Sequence, residues 1–222
     1  MPQPLSRVAP NATIAIGTPG DRHLARHPDL ALLAIEAVAS WSKVESFFLQ
    51  LFVQLLGGNG ALAAEVFLSL QGQAAKSAAI RAAADSVLRE RQQELKVLNA
   101  ILSIAATCEK DRNKLAHWTW GDSPNLPDAL LLVDPRVFIQ GEIDRSAVYV
   151  YMARDFENII RSNDTLCGYG LLLTFVLQSR PEANDGRTLD ALAAKPEVAQ
   201  ALSRLATRAD KPPNHVTVTP DS

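Results

Sequence analysis

The run of the chain with the most chemistry in it is Glu109-Lys110-Asp111-Arg112-Asn113-Lys114-Leu115-Ala116-His117-Trp118. It sets an arginine and a histidine on one stretch, with four residues between them. A histidine titrates near neutrality, so it can take or give a proton. An arginine keeps its charge and can hold developing negative charge through two parallel hydrogen bonds. Asn113, next to the arginine, can orient the histidine or hold an anionic oxygen. These residue types can move protons beside an anion without a metal or a cofactor.

A helical wheel sharpens the point. With Ile101 at zero, Arg112 falls at about 20°, among Ala105, Cys108 and Leu115. A guanidinium in the middle of an apolar stripe needs an acidic partner, a cleft or an anionic ligand. A second anomaly lies upstream: with Trp41 at zero, Glu45 falls at about 40°, between Phe52 and Val38. The two stripes together predict that Glu45 pairs with Arg112 and orients it. Lys114 and His117 lie in the last turn, where they complement the negative end of the helix.

The elements that must position these residues read as helices. Pro28-Asp29 is a helix start, and residues 30–56 contain no Gly or Pro. That stretch is apolar almost all round, as a central helix or one shared with a second subunit would be. Gly57-Gly58-Asn59-Gly60 ends it. Apolar spacing near 3.6 predicts further helices over about 61–70, 74–89 and 90–117. After Trp118 the run WTWGDSPNLPDALLLVDPRVFI carries two β-prone pieces around a turn cluster, read as a short hairpin or extended flap. Helix is expected again from about Arg145, with Val148, Met152, Phe156, Ile159 and Ile160 at helical spacing. Gly168 and Gly170 are its weak points. Two short helical patches follow, at about 188–194 and 196–207. The fold class expected is all-α: a bundle of four to five helices with a flap after the fourth. Residues 1–27 read as an N-terminal arm, 28–180 as the bundle, and 181–222 as short helices with a flexible tail.

Composition sets the outer limits. Lys+Arg 22 against Asp+Glu 24 excludes a strongly basic nucleic-acid wrapper, so nucleic-acid chemistry would have to come from a local site. Two cysteines, Cys108 and Cys167, exclude a disulfide framework and a cysteine zinc site. No stretch reads as a signal peptide or a spanning helix. A soluble, cytoplasmic chain is the expectation.

RNKLAHW, late in a long helix of a helical chain, resembles the Arg-x4-His signature of HEPN domains (higher eukaryotes and prokaryotes nucleotide-binding). The resemblance covers about residues 28–180. It implies a metal-independent endoribonuclease, of toxin or defence type, that pairs as a homodimer and faces two copies of the motif across one cleft. The products would be 2′,3′-cyclic phosphate and 5′-hydroxyl ends. Arg112, Asn113 and His117 would be the catalytic residues, with Glu45 and Lys114 in support. Trp118 and Lys76 are the candidates to touch substrate, helped by Trp120 and Arg81. No cofactor or metal is implied, and an antitoxin joins RNA or a nucleotide among the expected partners. Other members of the family keep the fold without activity, so the rival expectation is a non-catalytic dimerisation or nucleotide-binding module. Arg22-His23-Leu24-Ala25-Arg26-His27 also fits the spacing, but it precedes the first helix and is set aside. His215-Val216-Thr217, in the tail, is set aside as well.

Overall fold

The computed structural model describes residues 1–17, 20–140, 143–178 and 186–209. Two elements open the chain, β1 (Gln3–Pro4) and α1 (Leu5–Val8), followed by β2 (Ala15–Ile16) and α2 (His23–Arg26). Then come α3 (Pro28–Leu56), α4 (Gly60–Ser69), α5 (Gly72–Val87) and α6 (Gln92–His117). β3 (Thr119–Asp122) and β4 (Ala129–Val133) follow, then a 3₁₀ turn at Pro135–Gln140 and β5 (Val148–Met152). The chain closes with α7 (Ala153–Gln178), α8 (Arg187–Ala193) and α9 (Pro196–Ala209).

The protein is mostly helical, and the expected helices between 28 and 117 are present. The flap is the part that changes. In its place stands a five-stranded antiparallel sheet in the order β1-β5-β4-β3-β2. The N-terminal segment, expected as an arm, supplies both edge strands. β1 pairs Gln3 with Val150, and β2 pairs Ile16 with Gly121. A Cβ at Gly121 would lie 2.3 Å from the Ile16 side chain and 2.6 Å from the Ala15 carbonyl, so only glycine lets β2 come this close.

The expected helix from Arg145 also changes. Val148–Met152 is the strand VYVYM, and α7 starts at Ala153. Asp155 Oδ2 accepts the Met152 backbone N–H at 3.1 Å, which fixes the turn from strand into helix. The sheet is buried on both faces. Leu130, Leu132 and Tyr151 pack against the helices, beside Leu30, Ala34 and Leu115. Ala129, Leu131, Val133, Val148 and Val150 form a second layer under Leu5 and Ala12. The main core lies among the long helices and takes in Leu189, Leu192, Val198 and Ala201 of α8 and α9. These two helices therefore pack into the bundle that was expected to end near residue 180. Residues 179–185, and the tail from 210 with His215, lie outside the described residues.

α3 and α7 run parallel and in close contact. Asn163 Nδ2 donates to Ser40 Oγ at 2.8 Å, Lys43 pairs with Asp164 at 2.9 Å, and Gln54 donates to the Thr174 carbonyl. At the closest point the Phe47 ring sits over Gly170, where a Cβ would meet it at 2.6 Å. Gly168 and Gly170 do not interrupt α7, and the second of them is what lets the helices approach. Gly170→Ala is expected to destabilise the fold by about 1–3 kcal/mol through overpacking. Gly168→Ala, whose Cβ would meet nothing, is expected to stabilise it by up to about 1 kcal/mol through helix propensity. Denaturant unfolding of the two variants should give shifts of opposite sign.

Candidate functional site

α6 delivers the RNKLAH residues to the end of the bundle that faces the sheet. Its last turn closes with the Trp118 N–H on the Lys114 carbonyl at 2.9 Å, and β3 begins at the next residue. Arg112 is half-buried. One of its terminal nitrogens donates to Asn113 Oδ1 at 2.9 Å, and Asn113 Nδ2 reaches Glu109 Oε1 at 3.5 Å. Arg112 Nε is buried and has no hydrogen-bond partner. The guanidinium is thus turned along the surface toward Asn113, with a buried donor left over. His117, one turn beyond Asn113, is exposed.

The expected Glu45–Arg112 pair does not form. Glu45 Oε1 lies 3.8 Å from Lys76 Nζ. The reason is height along the bundle. α3 and α6 run antiparallel: Leu115 packs with Leu30 and Ala34, while Ile101 and Ala105 pack with the Trp41–Leu55 half of α3. Arg112 is then level with the region of Ala37, and Glu45 lies roughly two turns, about 11 Å, further along α3. The wheel put Glu45 inside an apolar face, but its side chain is 41% exposed, and a wheel says nothing about levels. Lys76 takes the carboxylate, with its ammonium 5.7 Å from the centre of the Phe67 ring. It belongs to the α3–α4–α5 side of the bundle and is not brought to Arg112.

Lys114 and Trp118 are brought to the motif, but as a clamp. Lys114 Nζ lies 3.5 Å from Asp111 and sits over the rings of Trp118 and Tyr149, at 5.6 and 5.7 Å. The Trp118 ring packs on Tyr149 at 5.8 Å. Trp120 stacks on Phe156 at 6.4 Å. These contacts fasten the end of α6 to β5 and α7. Among the described residues no group of three or more His, Cys, Asp or Glu side chains could hold a metal ion. Cys108 and Cys167 are free thiols, and burial pushes that of Cys108 up to about 11.

Sequence reasoning missed a second cluster, built on the RHLARH segment that it set aside. The nearly buried Asp122, at the end of β3, receives Arg26 Nε at 2.5 Å and His23 Nδ1 at 3.2 Å, with His27 Nε2 at 3.7 Å. Asp21 lies 3.8 Å from His23 and 3.6 Å from Arg26. His23 Nδ1 is also 2.8 Å from Arg26. A single ring nitrogen either donates to the carboxylate or accepts from the guanidinium, and the tautomer of His23 decides which. The cluster pins α2, and with it the start of α3, to β3. Its partners stand 96 residues apart, which no local sequence signal conveys.

Compared with known protein families, curated proteins and solved structures, the chain matches none. Among the described residues no helix is long and apolar enough to cross a membrane.

The Asp122 pin carries a pH prediction. Burial raises its carboxyl, but the hydrogen bonds and charges of Arg26 and His23 outweigh that and hold it below its ordinary value of 3.8. A depressed carboxyl stabilises the fold in full above the unfolded value and loses that contribution as pH falls through the folded one. Asp122→Asn should therefore lower the melting temperature at pH 7. It should also flatten the loss of stability that the wild type shows below about pH 4, as thermal melts across the acid range would record.

Proposed function

We propose that the chain is a HEPN-like, metal-independent endoribonuclease that acts as a homodimer, with Arg112, Asn113 and His117 as its reacting groups. The observation that carries the reading is the state of Arg112. It is half-buried, among the described residues no carboxylate lies within 4.0 Å of it, its Nε has no partner, and one of its terminal nitrogens donates to Asn113. An unneutralised, partly desolvated guanidinium is suited to an anion supplied from outside, and a scissile phosphate is such an anion. His117 takes the proton of the 2′-hydroxyl or supplies one to the departing 5′-oxygen, and Arg112 stabilises the charge that builds on the phosphorus oxygens. A second His117, from a second copy, performs the other transfer.

The outward face of α3 supports the pairing. Leu32, Ile35, Ala39, Ser42 and Ser46 are exposed and recur at alternating steps of three and four, and the half-buried Leu49 and Val53 continue the spacing. Leu32 and Ile35 are 59% and 61% exposed. This is the spacing of a seam between two helices, and its small central residues let backbones come close. The resemblance of RNKLAH to the HEPN motif supplies the toxin or defence context, with an antitoxin as a further partner and the cytoplasm as the place of action. The rival reading, a non-catalytic nucleotide-binding module on the same dimer, draws on His117, whose ring is bonded to nothing among the described residues.

Incubation of full-length protein with end-labelled transfer RNA and total RNA, in EDTA, tests the proposal. Wild type should leave 2′,3′-cyclic phosphate and 5′-hydroxyl ends. His117→Ala should cut about a hundredfold more slowly or worse, and Arg112→Ala similarly. Intact RNA with the wild type, or equal cutting by His117→Ala, would overturn the enzyme reading; retained RNA binding without cutting would favour the rival. Ala39→Glu, which puts a charge in the centre of the seam, should shift the chain to monomer in light scattering and abolish cutting together with dimerisation.

A further inference from the structure

A cavity of about 280 Å3 lies between α6, α7 and α9. None of Arg112, Asn113 and His117 lines it. That is near the low end of the range of small-molecule sites, about 300–1,000 Å3. Ile104, Leu166 and Ala201 give it an apolar lining. Its charged groups are Glu197, Arg161 and Arg204.

All three charged side chains are exposed, and no ion pair joins them. Glu197 Oε2 accepts a hydrogen bond from the buried Tyr169 hydroxyl at 2.6 Å. That bond holds the carboxyl below its usual range, so it is ionised at neutral pH. Burial and the neighbouring carboxylate push the Tyr169 hydroxyl up to about 12, so the phenol stays a neutral donor. Neither guanidinium forms an ion pair with the carboxylate within 4.0 Å. Arg161 donates to the neutral Asn158 Oδ1 at 2.9 Å. Arg204 has no partner among the described residues. Opposite charges therefore line one small space, too far apart to pair with each other.

A simple anion entering this space would meet the ionised Glu197, and a simple amine would meet two guanidinium groups. A ligand that carries both charges satisfies both sides. We propose that this cavity is a binding site for a free α-amino acid with an apolar side chain. Its carboxylate goes to Arg161 and Arg204, where a planar fork matches two oxygens. Its ammonium goes to Glu197, and its side chain lies among Ile104, Leu166 and Ala201. Nothing in this assignment depends on the chemistry proposed for Arg112 and His117.

Calorimetric titration of the full-length protein with L-leucine and L-phenylalanine tests it. The two half-molecules of leucine, 4-methylpentanoate and 3-methylbutylamine, serve as controls. At least one of the amino acids should bind, and each half-molecule should bind about tenfold more weakly or worse. Glu197→Gln and Arg204→Ala should each lower amino-acid affinity by about tenfold or more, with RNA cleavage unchanged. Arg204 is exposed, so its variant folds even if Glu197→Gln perturbs the start of α9. No binding of either amino acid at millimolar concentration would overturn the proposal. So would a half-molecule that binds as tightly as leucine, or an Arg204→Ala variant that binds amino acid as the wild type does.

Discussion

The parallel contact of α3 with α7 is the constraint on which the rest of the molecule depends. Two helices that run the same way cannot be joined by a short turn, so the chain between them must cross the whole bundle. That crossing holds α4, α5, α6 and the central strands. Phe47 over Gly170 sets how close the two helices come, and the buried Ser40–Asn163 hydrogen bond sets their register. Because α7 leaves β5 without a loop, the same register positions the sheet. Because α3 begins beside α2, which Asp122 holds to β3, its start is tied to the sheet as well.

The charges follow from that geometry. Charged groups near the sheet are spent on fastening: Asp122 on Arg26 and His23, and Lys114 on Asp111 and two aromatic rings. Arg112 is bonded only to the neutral Asn113 side chain. A chain whose net charge is close to zero can therefore still present one unsatisfied cation in a defined place. At the α6–α7–α9 cavity the ionised Glu197 is held chiefly by the neutral Tyr169 hydroxyl.

The helices from 28 to 117 were legible in the sequence because each buries one stripe, and a stripe leaves a period of 3.6. The sheet was not, for three physical reasons. The edge strands are two residues long, too short to show alternation. β4 is covered on both faces, so ALLLV shows no polar positions. Val148, Met152 and Phe156 are spaced like a helix but straddle the junction of β5 and α7. The site divides in the same way. That Arg112 and Glu45 are anomalous on their wheels could be read from spacing. That Glu45 lies too far along α3 to reach Arg112 could not, because a wheel discards height. The Asp122 cluster joins residues 96 positions apart, and only the folded sheet shows it.

The sheet also fixes when the site can exist. β1 is the first strand made, yet its only neighbour is β5, the last. β3 has both its neighbours, β2 and β4, once Val133 has been made, but β4 acquires its second neighbour only after Met152 has been synthesised. His117 stands two residues ahead of β3, with Trp118 the only link and no loop to absorb error. A growing chain that has already made all of RNKLAH is still without the surface that aims it. A shortened chain that stops before β5 would carry the motif without Tyr149, one of the rings that hold the end of α6 in place.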